Sequence, residues 1–256
     1  MRSGPVQISP LLGIPLIEER DCLTSIIISA LGRAGIQPEP QDILVVAQKI
    51  VSKSEGRSTL LRDVSVSPNA QSLAEKTSKD PRLVELILSE SSAVLRFKPG
   101  VLVTIHKLGY IMANAGIDQS NVEQTAEGDR VLLLPIDPDN SCAKLKQALD
   151  AHYNTDLGIV INDSFGRPWR KGVVSVALGS AGLPALRNLV GKPDLYGRSM
   201  RVTESAFADQ VATAAAMVMG ETNEAIPVVH IRGLQWNEPI GSSRDLIRDK
   251  SEDMFQ

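Results

Sequence analysis

The chain has 256 residues, 43% hydrophobic and 22% charged, with a formal net charge of -3 and a pI near 5.7. That is the balance of a globular protein with ample core, in one large domain or two small lobes, and it argues against a nucleic-acid binder, in which a basic face would dominate. Cys22 and Cys142 lie far apart without CxxC partners, so neither a zinc site nor a disulfide framework is indicated, and both read as buried free thiols. No apolar run reaches membrane-spanning length and the N-terminus lacks a signal-peptide h-region, so a cytoplasmic location is expected.

In chain order, Leu11–Ile17 is an apolar loop or strand end, which Pro15 keeps out of the centre of a sheet. Asp21 is positioned to cap a helix over Cys22–Gly32, where Leu23, Ile26, Ile27, Ala30 and Leu31 follow helical spacing. Asp42–Ala47 predicts a strand running straight into Gln48–Arg57, a stretch with Lys49 and Lys53 but no glycine-rich phosphate loop. Taken alone, those lysines read as solvated surface charges. Residues 68–79 and 81–92 predict two helices opening on Pro68 and Pro81, with Val94 continuing the apolar stripe of the second.

Val101–Ile105 and Tyr110–Ala113 predict a hairpin across Gly109. The segment Asn114–Val122 that follows is dense in side-chain oxygens. Asp118 and Asn121 there read equally well as metal and phosphate ligands or as caps ordering a turn, and the nearby His106 reads as a hydrogen-bond partner. Val131–Pro135 is a strand, and the acidic Asp137-Pro138-Asp139 supplies turn and cap for a helix over Cys142–His152.

Gly158–Ile161 is a β-branched strand that breaks at Asp163-Ser164 into a Gly/Pro loop bearing Arg167, Arg170 and Lys171. A carboxylate and a hydroxyl beside three cations suit a hard metal ion and phosphate; the plainer alternative is an Asx turn with solvated charges. Val173–Leu178 is another strand, ending in a GxxG that only weakly resembles a dinucleotide fingerprint. Asp194–Arg198 is a turn. An alanine-rich helix follows over Thr203–Met219, then Glu221, a strand over Val228–Arg232 and a polar tail over 237–256.

Five segments share an order and spacing with a known family: GIPLI, LVVAQKIVSKSEGR, ANAGIDQSNV, INDSFGRPWRKG with VALGSAG, and MGETNEAIPVVHIRG. Over residues 11–235 the chain resembles the coenzyme F420:L-glutamate ligases, which add γ-linked glutamates to a deazaflavin cofactor, in their stand-alone form. The resemblance implies an α+β, two-lobed fold peculiar to the family, with mixed sheets and flanking helices, assembled as an intertwined homodimer. It implies one catalytic unit over 11–235 and a tail over 236–256. GTP and two divalent ions, Mg²⁺ or Mn²⁺, would lie between the lobes, with K⁺ as a further candidate ion. Residue by residue, Asp118 and Asp163 match the ligands of one metal; Ser164 and Glu221 match those of the other, with Ser164 in place of the usual Thr. Ile14, Pro15, Leu16, Ile17, Gln48, Lys49, Lys53 and Asn121 match nucleotide-contacting positions. So do Met219, Gly220, Glu221, Thr222, Asn223, Glu224, Ala225 and Ile226.

The chemistry implied is activation of a carboxylate by GTP as an acyl phosphate, followed by attack of glutamate's amine, a reaction that rests on positioning and charge neutralisation. Carboxylates converging from distant loops repel one another unless a dication lies between them. Arg167, Arg170 and Lys171, by charge alone, would hold the acceptor's phosphodiester and the glutamate carboxylates, with Arg167 and Arg170 joining Asp118 and Asp163 in catalysis. Three alternatives stand beside this reading: a related ligase with another amino acid or acceptor, a GTP-binding sensor on the same scaffold, and a Rossmann-type oxidoreductase built on Val173–Gly182.

Overall fold

The computed structural model describes residues 4–122 and 128–254. In chain order the elements are β1 (Gln7–Pro10), α1 (Leu23–Arg33), β2 (Ile43–Ala47), α2 (Gln48–Ser54), β3 (Ser58–Leu60), α3 (Pro68–Thr77), α4 (Pro81–Ser89), β4 (Ser91–Lys98), β5 (Val101–His106) and β6 (Ile111–Ala113). They continue with β7 (Arg130–Leu132), α5 (Pro138–Tyr153), β8 (Gly158–Arg167), β9 (Arg170–Ala181), β10 (Leu186–Asn188), β11 (Glu204–Ala206), α6 (Phe207–Met219) and β12 (Val228–Arg232). The class is α+β with mixed sheets.

A five-stranded sheet in the order β1-β12-β2-β8-β9 forms the centre, with β2 and β8 parallel and every other pair antiparallel. β2 and the start of β8 are covered on both faces, which is why they read as unbroken apolar runs. Period two still sorts their side chains. Leu44, Val46, Ile159 and Ile161 pack with Ile27 and Leu31 of α1 and Leu145 and Leu149 of α5. Ile43, Val45 and Val160 pack with Val211, Ala212 and Ala215 of α6, whose small side chains let it lie close to the sheet. A third cluster draws only on residues 61–133, among them Leu73, Val84, Ile87, Leu102, Ile117 and Val131. The segment between α2 and α5 thus has a core of its own.

Several element ends differ from the sequence reading. Asp21 does not cap α1: its carboxylate accepts the Glu18 N–H (2.8 Å), and Cys22 stands at the cap. Cys22 is therefore exposed, its sulfur accepting the Ser25 hydroxyl, and only Cys142 is buried. Helix α4 stops at Ser89, where the Ser91 hydroxyl donates to the Ile87 carbonyl (2.6 Å) and the chain becomes strand, so Val94 reaches the same core from β4 rather than from a helix. The strand expected over Val131–Pro135 is only Arg130–Leu132, and α6 starts at Phe207 because Glu204–Ala206 pairs with β10. The helices opening on Pro68 and Pro81 start as expected, capped by Ser67 and Asp80, whereas α5, expected from Cys142, already starts at Pro138 with Asp137 as its cap. The tail holds two short 3-10 turns, Ser243–Leu246 and Lys250–Glu252; its last two residues lie outside the described ones. Among the described residues no helix is long and apolar enough to cross a membrane.

Candidate active site

Parallel pairing of β2 with β8 ends at Ala47 opposite Asn162. β2 turns at once into α2, whereas β8 runs on to Arg167 as a long hairpin with β9. Asp163 and Ser164 are thus not at a strand end, as the sequence suggested, but inside β8, opposite Val176 and Ser175. The partner run Val173–Val176 is β-branched enough to carry the pairing past Asp163, and only the edge facing β2 is released. A bulge at Leu178 of β9 sits beside this point, its carbonyl accepting the hydroxyls of Tyr110 and Ser243.

The pleat sends Asn162 and Ser164 to one side of β8 and Asp163 to the other. Asn162 donates to Ser175 Oγ (2.6 Å) and to Met219 Sδ (3.4 Å) at the end of α6, and Ser164 donates to Glu221 Oε1 (2.9 Å) just beyond it. Gly220 makes that exit with φ +74°; a side chain there would run into Glu224, whose carboxylate accepts the Thr222 N–H (2.8 Å) and closes the 220–226 loop.

Asp118 arrives from the loop after β6 and is locked to Leu132 by a backbone hydrogen bond in each direction (3.0 and 2.8 Å). Its carboxylate pairs with Lys49 Nζ (2.6 Å) and accepts the Ser120 N–H (2.6 Å), while Lys49 also donates to Ser120 Oγ (2.7 Å). One helical turn on, Lys53 Nζ donates to the Asn121 carbonyl (2.9 Å). Asn121, itself left-handed at φ +54°, donates from Nδ2 to the Thr222 carbonyl (3.0 Å). Helix α2, the 114–122 loop and the 220–226 loop are thereby tied together at the released edge of β8. Lys49 and Lys53, solvated surface charges by the plainest reading, are the fastenings.

Burial raises the Asp118 carboxyl, but the Lys49 and Ser120 hydrogen bonds outweigh it and hold the group below the usual range. At Asp163 burial dominates, and Asp118 and Glu221 add to it against the Ser164 N–H and Lys49; the carboxyl is pushed up to about 7. Carboxylates from three separate stretches thus lie near enough to bear on one another. Among the described residues no three His, Cys, Asp or Glu side chains stand close enough to hold one ion; the oxygens are engaged in pairs, Asp118 with Lys49 and Ser164 with Glu221. The donor set itself, three carboxylates and a hydroxyl with charge in excess of its cations, fits a hard divalent ion.

Of the other residues singled out, Gln48 is buried and accepts the Ser52 hydroxyl (2.9 Å). Ile14 and Ile17 pack into the core while Pro15 and Leu16 face outward. Hydrogen bonds from Leu11 N to Val228 O and from Ala47 N to Pro227 O bring this segment and the 220–226 loop to the same end of the sheet. Met219 is buried, Ile226 packs against the same core cluster, Ala225 is left-handed at φ +55°, and Asn223 lies exposed in the loop. Arg167, Arg170 and Lys171 are not gathered around Asp163; they sit at the β8–β9 tip, roughly 13 Å along the strand. His106 is a buried partner, accepting the Leu108 N–H at Nδ1 beside Glu90. The GxxG is a packing device: a Cβ on Gly179 would meet the Pro138 backbone at 2.4 Å and one on Gly182 the Leu157 carbonyl at 2.2 Å. Because β9 runs antiparallel to β8 without a strand–turn–helix, the dinucleotide reading has no support. Ser120, Asn162 and Tyr110 were not singled out by the sequence; the oxygen-rich loop was the only signal for Ser120.

The model of the F420-0:gamma-glutamyl ligase family matches residues 12–233. Among similar proteins, the coenzyme F420:L-glutamate ligase of Methanothermobacter thermautotrophicus is 42% identical over 95% of this chain and 96% of its own length. That of Methanopyrus kandleri is 41% identical over 85% and 86%, and that of Archaeoglobus fulgidus 38% over 98% and 96%. With near full-length likeness on both sides, the chain belongs to the F420-0:gamma-glutamyl ligase family.

Proposed function

We propose that this chain joins L-glutamate, through a γ-linked amide, to the deazaflavin precursor of coenzyme F420 at the expense of GTP. The observation that carries the reading is the convergence of Asp118, Asp163 and Glu221 beside two lysines at one released strand edge. Such a charge arrangement suits phosphoryl transfer, in which positioning and neutralisation do the chemistry. The names of the similar proteins supply the acceptor and the amino acid.

In this reading a carboxylate oxygen of the acceptor attacks the γ-phosphorus of GTP, the bond to the β-phosphate oxygen breaks, and GDP leaves. Glutamate's neutral amine then attacks the acyl carbon, the carbon–oxygen bond to phosphate breaks, and the nitrogen gives up one proton, which leaves with the phosphate, while the amide keeps its N–H. Asp118, Asp163, Ser164 and Glu221 would hold two divalent ions, Mg²⁺ or Mn²⁺, which when bound offset the charge of the phosphates. Lys49 and Lys53 fasten the loop that lines the nucleotide, and the 220–226 loop with Ile14–Ile17 borders it. Arg167, Arg170 and Lys171 attract the acidic acceptor and glutamate. A two-lobed monomer, with the 61–133 core as the second lobe, in a cytoplasmic homodimer is the setting we propose.

The test is isotopic. With ¹⁸O in the acceptor's carboxylate, the phosphate released during amide formation should carry one label and GDP none. Unlabelled phosphate alongside confirmed product defeats the acyl-phosphate route. Phosphate release without any need for acceptor would favour the sensor reading.

A further inference from the structure

The turn that closes the β8–β9 hairpin is Pro168-Trp169, with Arg167 and Arg170 paired across its base. Its second residue is left-handed, φ +58°, a position where Gly or Asn is at ease and a large side chain is held only at a cost. That side chain is an indole 81% exposed to solvent, in the turn six residues beyond Asp163 and two beyond the end of β8. The protein's other tryptophan, Trp236, is buried against Phe207. Beside the turn, Arg167 Nη1 is buried yet donates to nothing among the described residues, an arrangement that favours an incoming oxygen acceptor. Between tip and acid cluster, Phe165 is anchored edge-on to Tyr110, ring centroids 6.2 Å apart, so the arm is braced from beneath.

We infer that Trp169 is a specificity-determining residue of the ligase, a platform on which the aromatic ring of the acceptor stacks; the inference rests on the ligase reading. The order of groups along β8 matches the order along such an acceptor. The reacting carboxylate belongs at Asp163, the phosphodiester at the orphaned Arg167 nitrogen, and the flat ring beyond it at the tip. Stacking on an indole face tolerates any planar heterocycle and gains from the flanking guanidinium charges. The left-handed turn residue projects the ring outward from the tip, where it can meet a ligand rather than the protein's own core.

The experiment compares wild type with W169A and W169F, using the unglutamylated deazaflavin acceptor and a truncated acceptor that keeps the phosphodiester and carboxylate but lacks the ring. W169A should raise the KM for the full acceptor about tenfold or more, the scale of one lost aromatic stack. The KM for GTP and the turnover at saturating acceptor should stay near wild type, W169F should restore most of the affinity, and the truncated acceptor should not distinguish the three. Tryptophan emission should be quenched by the full acceptor in wild type and not in W169F, where buried Trp236 alone reports. Equal acceptor KM in wild type and W169A overturns the stacking role while the ligase reading stands. Wild type that makes no glutamylated product sinks the ligase reading, and quenching in the same titration then decides whether the tip binds the ring. A changed oligomeric state of W169A with an unchanged acceptor KM overturns the proposal in favour of a subunit contact.

Discussion

Asp163 combines two demands that the proposed metal and phosphate site would reconcile. Burial and the neighbouring Asp118 and Glu221 disfavour its ionised form, yet among the described residues no cation is paired directly with it as Lys49 is with Asp118. Asp163→Asn should therefore lower kcat at least a hundredfold, the scale of one lost charge-stabilising group, and excess chelator should do the same to wild type. The melting temperature of the variant in metal-free buffer should equal or exceed that of wild type, since an uncharged amide is easier to bury there. Full turnover of the variant, or of chelated wild type, would contradict the assignment. Lys53 fixes the Asn121 carbonyl and through it the loop that meets Thr222. Lys53→Ala should weaken GTP binding by about 1–3 kcal/mol in calorimetry, the range for a lost charge-assisted hydrogen bond. By local pattern alone these residues were legible only as oxygen-rich or cationic stretches; the family resemblance singled them out as site residues. Their mutual contacts span separations such as Lys49 to Ser120, and no local pattern encodes which lysine meets which loop.

At the scale of elements, the strands and Pro-led helices were readable because apolar period and caps agree locally, while the errors cluster where a distant partner decided. Asp163-Ser164 followed by Gly166 and Pro168 looks like a strand breaker, but Val173–Val176 supplies a cross-strand partner that keeps β8 extended to Arg167. Residues 91–98 resemble the end of a helix until β5 claims them. The GxxG of β9 reflects packing of the same kind, since β9 lies so close to the start of α5 that only glycine fits at position 179. Gly179→Ala should cost about 1–3 kcal/mol, the usual penalty of overpacking, read as a lower denaturant midpoint at unchanged slope. Because Asp139 of the same helix start accepts the Ser180 N–H (2.9 Å), the strain should also reach the hairpin that carries Asp163. A variant as stable as wild type would mean that the helix start yields freely.

For the whole molecule, the sheet depends on a buried ion cluster that joins the two ends of the chain. Asp42, 2% exposed just before β2, meets His230 Nε2 (2.8 Å) and Arg232 Nη2 (2.6 Å), both on β12, across a separation of 188 residues and more. The sequence showed these three only as members of two strands, because nothing near either one names its partner. Burial raises the Asp42 carboxyl, but the hydrogen bonds from His230 and Arg232 more than offset this and hold it at about 2, below its ordinary 3.8. A carboxylate whose folded pKa is depressed stabilises the fold fully above its unfolded value and ceases to do so as pH falls through the folded one. The contribution, about 2 kcal/mol, is thus present above pH 4 and disappears between about 4 and 2. Asp42→Asn should accordingly be less stable than wild type at pH 7, even with Glu39 still paired to Arg232 (2.9 Å), and the difference should shrink steadily below pH 4. Urea midpoints of both proteins at pH 7, 4 and 2.5 test this. A gap that stays constant down to pH 2.5 would show that the cluster holds β2 to β12 by shape and not by charge.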